Sequence, residues 1–224
     1  ATPCWAVFTS RSRRLGAWKL PATAMPSCRQ PEPALTRRAL LAAGLGLAPL
    51  QGWATQNADA EALLRKGGVV VVFRHALAPG TFDPPGMRLG DCSTQRNLSD
   101  AGRAQARRIG EWFKERQLQP AAVRSSPWCR CMDSATLAFG TPEVWAALGS
   151  PHGAPETTGA RHLHELRKAL VTASARSGRF EAWFTHMFVQ SDLANDSTRS
   201  GEALILQADH LAKPQVLARL SIMA

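Results

Sequence analysis

Arg74 and His75 stand side by side where a run of β-branched and aromatic residues, 69–73, gives out. Two further segments end in a similar way: 121–123 leads into Ser126-Pro127-Trp128-Cys129-Arg130, and 180–184 leads into Thr185-His186. Continuous apolar runs of this kind read as strands of a sheet covered on both faces. Ligands of open α/β sheets sit just beyond the carboxyl ends of the strands. The three ends would therefore gather Arg74, His75, Arg130 and His186 on one edge. A guanidinium is always charged and forks onto two oxygens at once, which suits a phosphoryl group. A neutral imidazole can attack phosphorus in line, and a second one can donate to the transferring oxygens. Phosphoryl transfer asks a protein mainly for positioning and charge stabilisation. This set supplies both without calling for a metal or another cofactor.

The elements that must hold these residues can be read between them. A Gly/Pro-rich loop, 78–92, follows the first strand. Residues 98–113 then form a helix with Ser99 as N-cap, Asp100 in the first turn, and Ala106, Ile109 and Phe113 on one face. Pro127 opens a second helix that runs to Phe139 and stops at Gly140, the usual Pro-first, Gly-after order. Residues 141–159 read as loop. Residues 162–175 read as a helix with Leu163, Leu166 and Leu170 on one side, and 203–206 and 216–220 as a fourth strand and an edge strand. Strands separated by helices imply an α/β fold, a three-layer sandwich with a mainly parallel central sheet flanked by helices.

The first quarter of the chain follows other rules. Thr36-Arg37-Arg38-Ala39-Leu40-Leu41 leads into an apolar stretch, 42–50, that ends at Gly52-Trp53-Ala54. A basic region, a short apolar region and small residues at the end describe a secretory signal, and the paired arginines describe the twin-arginine route. The apolar stretch is well short of the roughly 20 residues that span a bilayer, so no stable membrane span is expected. The expected division is a targeting segment, 1–54, and a domain, 55–224, exported to the periplasm. The targeting segment holds seven basic residues and one acid, so it accounts for +6 of the chain's +10 and leaves the domain +4. A domain of that charge, with no basic stripe interleaved with aromatics, does not point to nucleic acid. Three of the five cysteines, Cys92, Cys129 and Cys131, fall in the domain. They are expected to be buried free thiols; the alternative is one disulfide from Cys92 to either Cys129 or Cys131.

Taken together, these segments resemble the histidine phosphatase superfamily, also called phosphoglycerate mutase-like. Phe73-Arg74-His75-Ala76 is similar to its Arg-His-Gly signature. The stretch Leu98-Ser99-Asp100-Ala101-Gly102-Arg103-Ala104-Gln105-Ala106 is similar to its Leu-Thr-Glu-x-Gly-x-x-Gln-Ala helix start. Ser126-Pro127-Trp128-Cys129-Arg130 is similar to its Ser-Pro-x-x-Arg turn. The likeness runs over about 69–206, and Asp91-Cys92-Ser93-Thr94-Gln95-Arg96-Asn97-Leu98 is similar to a compact, exported bacterial branch. The resemblance implies His75 as a nucleophile that forms a phosphohistidine, Arg74 and Arg130 as phosphate clamps, and His186 as the second pocket histidine. Arg96 is a third candidate clamp, with a structural tie to Asp91 or Asp100 as its alternative role. Ala76 stands where the signature has glycine, as in the phosphohistidine-phosphatase-like branch. Met187 stands where the phytase-like branch has the aspartate that donates a proton.

A carboxyl group with a raised pKa near the pocket would protonate the leaving group, and Asp83, Asp91 and Glu165 are the candidates. Insertions between the motifs are too short for a cap domain. A shallow, open pocket is therefore expected, which favours hydrolysis over mutase action, since a mutase must shield its phosphoenzyme from water. The expected activity is metal-independent hydrolysis of a phosphomonoester or phosphoprotein, with a phosphorylated small molecule or envelope sugar phosphate as substrate. Two alternatives remain: a phosphate-binding domain of the same fold without turnover, and a cytosolic protein phosphohistidine phosphatase.

Overall fold

Strand β1 (Val69–Arg74) is buried along five of its six residues and divides the molecule in two. Successive side chains of a strand point to opposite faces. Val69, Val71 and Phe73 accordingly enter one apolar cluster, and Val70 and Val72 enter another. The computed structural model describes residues 50–151 and 156–222. On one side of β1 lies β4 (Phe180–Thr185), parallel to it, with Phe73 level with Phe184 and Arg74 level with Thr185. On the other side lies β5 (Ala203–Ala208), antiparallel. Strand β2 (Ala122–Ser125) runs parallel to β4, and the two-residue β3 (Glu143–Val144) parallel to β2. Strand β6 (Pro214–Leu220) closes the far edge against β5, giving the order β3-β2-β4-β1-β5-β6.

Helices cover both faces. On the first face α1 (Leu50–Lys66), α2 (Asp100–Glu115) and α3 (Cys129–Phe139) bury Leu64, Ile109, Phe113 and Ala135 against Phe73, Phe180 and Phe184. Phe73 stacks on Phe184 with ring centroids 4.9 Å apart. On the second face α4 (Glu156–Ser174) and α5 (Met187–Ala194) bury Leu166, Leu170, Val189 and Leu193 against Trp183 and Leu204. This is the expected three-layer α/β sandwich, with four parallel strands and an antiparallel hairpin at one edge. Among the described residues no helix is long and apolar enough to cross a membrane.

The differences from the sequence reading have physical causes, some local and some long-range. Helix α4 begins at Glu156 rather than 162. The segment read as loop also contains β3, which exists through pairing: Arg124 is level with Glu143 and its Nε donates to the Glu143 carboxylate at 3.0 Å. Helix α5 went unread because Met187, Phe188 and Val189 follow one another with no polar face and no side-chain cap. Helix α1 contains Ala54, the expected cleavage point, and residues 1–49 of the expected targeting segment lie outside the described residues. The expectation of three free thiols is corrected: Cys92 and Cys129 form a disulfide, with Cα atoms 5.7 Å apart, and of the three only Cys131 is free and buried. The loop after β1 folds back onto the start of α3 through long-range contacts, and nothing in the local pattern announces them.

Gly102 in α2 shows why the helix-start motif takes its form. A Cβ there would lie 2.0 Å from the carbonyl oxygen of Leu77, just beyond the end of β1. That same oxygen accepts from the backbone N–H of Ser99, while Ser99 Oγ caps the helix by accepting from Gly102 N–H at 3.1 Å. Gln105, one turn on, accepts the N–H of Leu77 at Oε1 and donates from Nε2 to Ser200 O. The first turns of α2 therefore hold the chain that leaves β1. Gly102→Ala should destabilise the protein by about 1–3 kcal/mol, the usual penalty for overpacking, measured by urea unfolding; an unchanged midpoint would contradict the close approach.

Candidate active site

At the carboxyl end of β1 the backbone of Arg74 and His75 is held from three directions. His75 N–H donates to Thr185 O of β4 at 2.9 Å, and Gly201 N–H donates to the carbonyls of both Arg74 and His75. Ala76 N–H donates to Ser134 Oγ of α3, and that hydroxyl donates on to Arg130 O at 2.6 Å. Strand β1, β4 and helix α3 thus fix His75 and Arg130 relative to one another. Arg130 follows Cys129 in the first turn of α3, and His186 sits where β4 passes into α5.

These side chains enclose a cavity of about 230 Å³ bordered by Arg74, His75, Asp83, Arg96, Arg130 and His186. His75 and His186 are only 2% and 3% exposed, so the pocket is less open than the lack of a cap insertion implies. The loop after β1 supplies the cover, with Thr81, Phe82, Asp83 and Met87 at the cavity wall. His75 and His186 face each other edge-on, ring centroids 5.6 Å apart.

The hydrogen-bond network assigns both tautomers. His75 Nδ1 lies 2.8 Å from Ala76 O. A carbonyl can only accept, so Nδ1 carries the proton and Nε2 keeps its lone pair. Burial, with the charges of Arg130, Arg96 and Arg74 adding to it and the bond to Ala76 O opposing, pushes the His75 pKa down to about 3. The ring is neutral at ordinary pH and offers an unprotonated nitrogen. His186 Nδ1 lies 3.4 Å from Arg130 Nη2 and its Nε2 lies 2.9 Å from Ser126 Oγ. A guanidinium can only donate, so Nδ1 accepts and Nε2–H donates to Ser126. Burial, reinforced by Arg130, lowers the His186 pKa well below its ordinary value.

Three guanidinium groups share the cavity with one carboxylate. Asp83 Oδ1 accepts from Arg130 Nη1 at 2.7 Å and from the backbone N–H of Arg96, and Oδ2 accepts from Trp128 Nε1 at 3.2 Å. Burial alone would raise the Asp83 pKa, but the bonds from Arg96 and Arg130, the Arg130 charge and the Trp128 bond outweigh it and lower it. Arg74 donates to Thr198 O and Arg96 to Ala78 O. The Nε–H groups of Arg74, Arg96 and Arg130 are buried and have no hydrogen-bond partner among the described residues. Burial, then the charge of Arg130, lowers the pKa of both Arg74 and Arg96. With three positive charges against one negative, the site carries a net +2 and buried donors in reserve. Such a cavity suits a compact, phosphate-like anion.

A family model described as histidine phosphatase superfamily (branch 1) matches residues 70–148, the stretch that carries Arg74, His75, Asp83, Arg96 and Arg130. Among solved structures the chain is similar to the protein histidine phosphatase SixA complexed with tungstate, at 17% identity over 68% of this chain and 96% of that one, with a TM-score of 0.45. It is also similar to a phosphoserine phosphatase mutant from Entamoeba histolytica in complex with phosphoserine, at 11% identity over 69% and 98%, TM-score 0.47. A third is phosphoglycerate mutase from Thermus thermophilus, at 16% identity over 69% and 99%, TM-score 0.44. No curated protein matches the chain.

Against the histidine phosphatase motifs, the structure brings Arg74, His75, Arg130 and His186 into one cavity and adds Arg96, whose side chain turns to Ala78 O rather than to Asp91 or Asp100. The three carboxylates fare differently. Asp91 does not border the cavity; it caps the short 3₁₀ turn Cys92–Thr94 and pairs with Arg88 at 2.7 Å. Glu165 lies on α4, whose apolar side packs on the second face of the sheet, and does not border the cavity either. Only Asp83 reaches it, and there it is held ionised, the opposite of what an acid requires. Sequence reading missed the ties of Asp83 to Arg130 and Trp128, and the bond between Ser126 and His186. The signal for the second was present, since Ser126 and Trp128 belong to the Ser-Pro-x-x-Arg turn.

The depressed pKa of His75 fixes the sign of a pH effect. A histidine buried in neutral form takes up its proton on unfolding, so its contribution to stability is present above the ordinary value of 6.5 and is lost as pH falls toward about 3. His186 acts in the same direction. Unfolding by urea should show stability declining below pH 6.5, and ring signals in nuclear magnetic resonance should show His75 neutral with its proton on Nδ1 from pH 8 to 5. A His75 midpoint near 6.5 would contradict the assignment.

Proposed function

We propose that this protein is a histidine phosphatase superfamily member and hydrolyses a phosphomonoester or a related phosphoryl compound through a phosphohistidine on His75. The observation that carries the reading is a neutral imidazole, its Nε2 unprotonated, surrounded by three arginines whose buried Nε–H groups have no partner among the described residues. In the first step His75 Nε2 bonds to phosphorus and the bond to the leaving group breaks. In the second, water attacks phosphorus, the P–N bond breaks and inorganic phosphate departs. Arg74, Arg96 and Arg130 hold the equatorial oxygens throughout, which is the charge stabilisation that phosphoryl transfer needs. A metal is not required for that task.

The leaving group still needs a proton, and the three carboxylates do not offer one. His186 Nδ1 supports a different route. When Arg130 turns its Nη2 to a phosphate oxygen, Nδ1 is freed beside the cavity. It can accept the proton of a monoanionic phosphate and return it to the leaving atom, while Nε2–H stays on Ser126. Such a relay is weaker than a dedicated carboxylic acid, so phosphoryl compounds with good leaving groups, aryl phosphates and phosphohistidine among them, are the favoured substrates. Export to the periplasm is part of the same reading; the arginine-paired signal pattern and the disulfide both suit an oxidising compartment.

The purified protein should release phosphate from an aryl phosphate in the presence of EDTA. His75→Ala should lower kcat by on the order of 10³-fold or more, as expected for removal of a covalent nucleophile. An unsubstituted alkyl phosphate should be cleaved far more slowly than the aryl ester. Activity that survives in His75→Ala, or disappears with EDTA and returns with a divalent cation, would sink the reading. Fractionation of cells tests the location separately.

A further inference from the structure

The Cys92–Cys129 disulfide lies behind the anion pocket and joins the two segments that carry Arg96 and Arg130 to its wall. Cys129 is the first residue of α3 and immediately precedes Arg130, while Cys92 opens the 3₁₀ turn that leads into Arg96. Three other contacts join the two arginines, the first a long bond from Arg130 Nη1 to Arg96 O at 3.5 Å. Gln95, buried and next to Arg96 in the chain, accepts Cys129 N–H at Oε1 and donates from Nε2 to Arg88 O, both at 2.9 Å. Asp83 Oδ1 bridges Arg96 N–H and Arg130 Nη1. Against these contacts stands the repulsion of like charges in a place where burial weakens screening. Cys92 is exposed and Cys129 is 6% exposed, so a soluble thiol can reach the bond from the Cys92 side. Cys131 is fully buried, and burial pushes its thiol up to about 12, which keeps it out of any exchange.

We propose that this disulfide is a positioning device that holds Arg96 against Arg130, so that the phosphate pocket is complete only in the oxidised protein. The inference rests on the phosphatase reading of the same site and makes that activity conditional on the redox state of the compartment. In the reduction step a dithiol attacks Cys92 Sγ as the thiolate and Cys129 leaves as a thiolate that takes a proton. The second thiol of the reductant then displaces Cys92 and closes a cyclic disulfide. Two electrons pass to the protein and two cysteine thiols result.

The test compares the full protein oxidised, reduced with dithiothreitol, and reoxidised, with thiols counted in each state. Inorganic phosphate binding and steady-state kinetics on an aryl phosphate are measured at 25 °C. Reduction should weaken phosphate binding about tenfold, the loss of roughly one well-placed charged hydrogen bond. KM should rise with a smaller change in kcat, and reoxidation should restore both. The paired substitution Cys92→Ser with Cys129→Ser should match the reduced protein and ignore the reductant. A purely structural staple would lower the melting temperature yet leave phosphate affinity and KM unchanged, and that result overturns the proposal. If the oxidised protein neither binds nor releases phosphate, the phosphatase reading fails instead. Amide exchange at Arg96 and Cys129 then still decides the clamp: faster exchange on reduction supports it, unchanged exchange overturns it.

Discussion

Three guanidinium groups crowd a neutral, buried imidazole around one pocket, and a single carboxylate, Asp83, accepts from the guanidinium of Arg130 and the backbone N–H of Arg96. Taking charges of one sign out of water is expensive, and their mutual repulsion grows as the effective dielectric falls. The arrangement persists because each cation is tethered from a different element. Arg74 bonds to Thr198 O beyond α5, Arg96 to Ala78 O in the loop, and Arg130 to Asp83 from the first turn of α3. Burial, with that field adding to it, keeps His75 and His186 neutral. A neutral imidazole and the cations that ring it are thereby held in one place.

Everything else in the fold can be traced to holding that arrangement in place. The parallel strands β1, β2 and β4 end together, and hydrogen bonds across their ends carry His75, Ser126 and Thr185 in register. The α2 motif serves the backbone: Ser99, Gly102 and Gln105 all engage Leu77, two residues past His75. Ser134 in α3 ties Ala76 to Arg130 through one hydroxyl. Two aromatic pairs, Phe73 stacked on Phe184 and Phe113 edge-on to Phe139, pack the core on one side of β1. A site of fixed dipoles and charges needs such packing, because reorganisation during the reaction would forfeit the stabilisation.

What could be read in the sequence follows the range of the forces involved. Strand β1, the capped start of α2 and the stop of α3 at Gly140 depend on local patterning, and each lies within two residues of its expected place. Arg74, His75, Arg130 and His186 were legible because strand ends converge by topology. The loop after β1 has no period, and its fold-back depends on Asp83 meeting Arg130 and Trp128 some forty residues away. That long-range choice decided the pairing of Cys92, brought Arg96 to the pocket and turned Asp83 from a candidate acid into a counter-ion. The antiparallel β5–β6 edge and helix α5 owe their form to tertiary packing in the same way.

The central claim is that His75 Nε2 takes the phosphoryl group, and direct trapping tests it. The protein would be mixed briefly with an aryl phosphate, quenched in alkali to preserve a P–N bond, and digested for mass spectrometry. The account predicts a phosphoryl adduct on the peptide that carries His75, localised to that residue and absent in His75→Ala. Turnover without any adduct on His75, or an adduct on another residue, would contradict it.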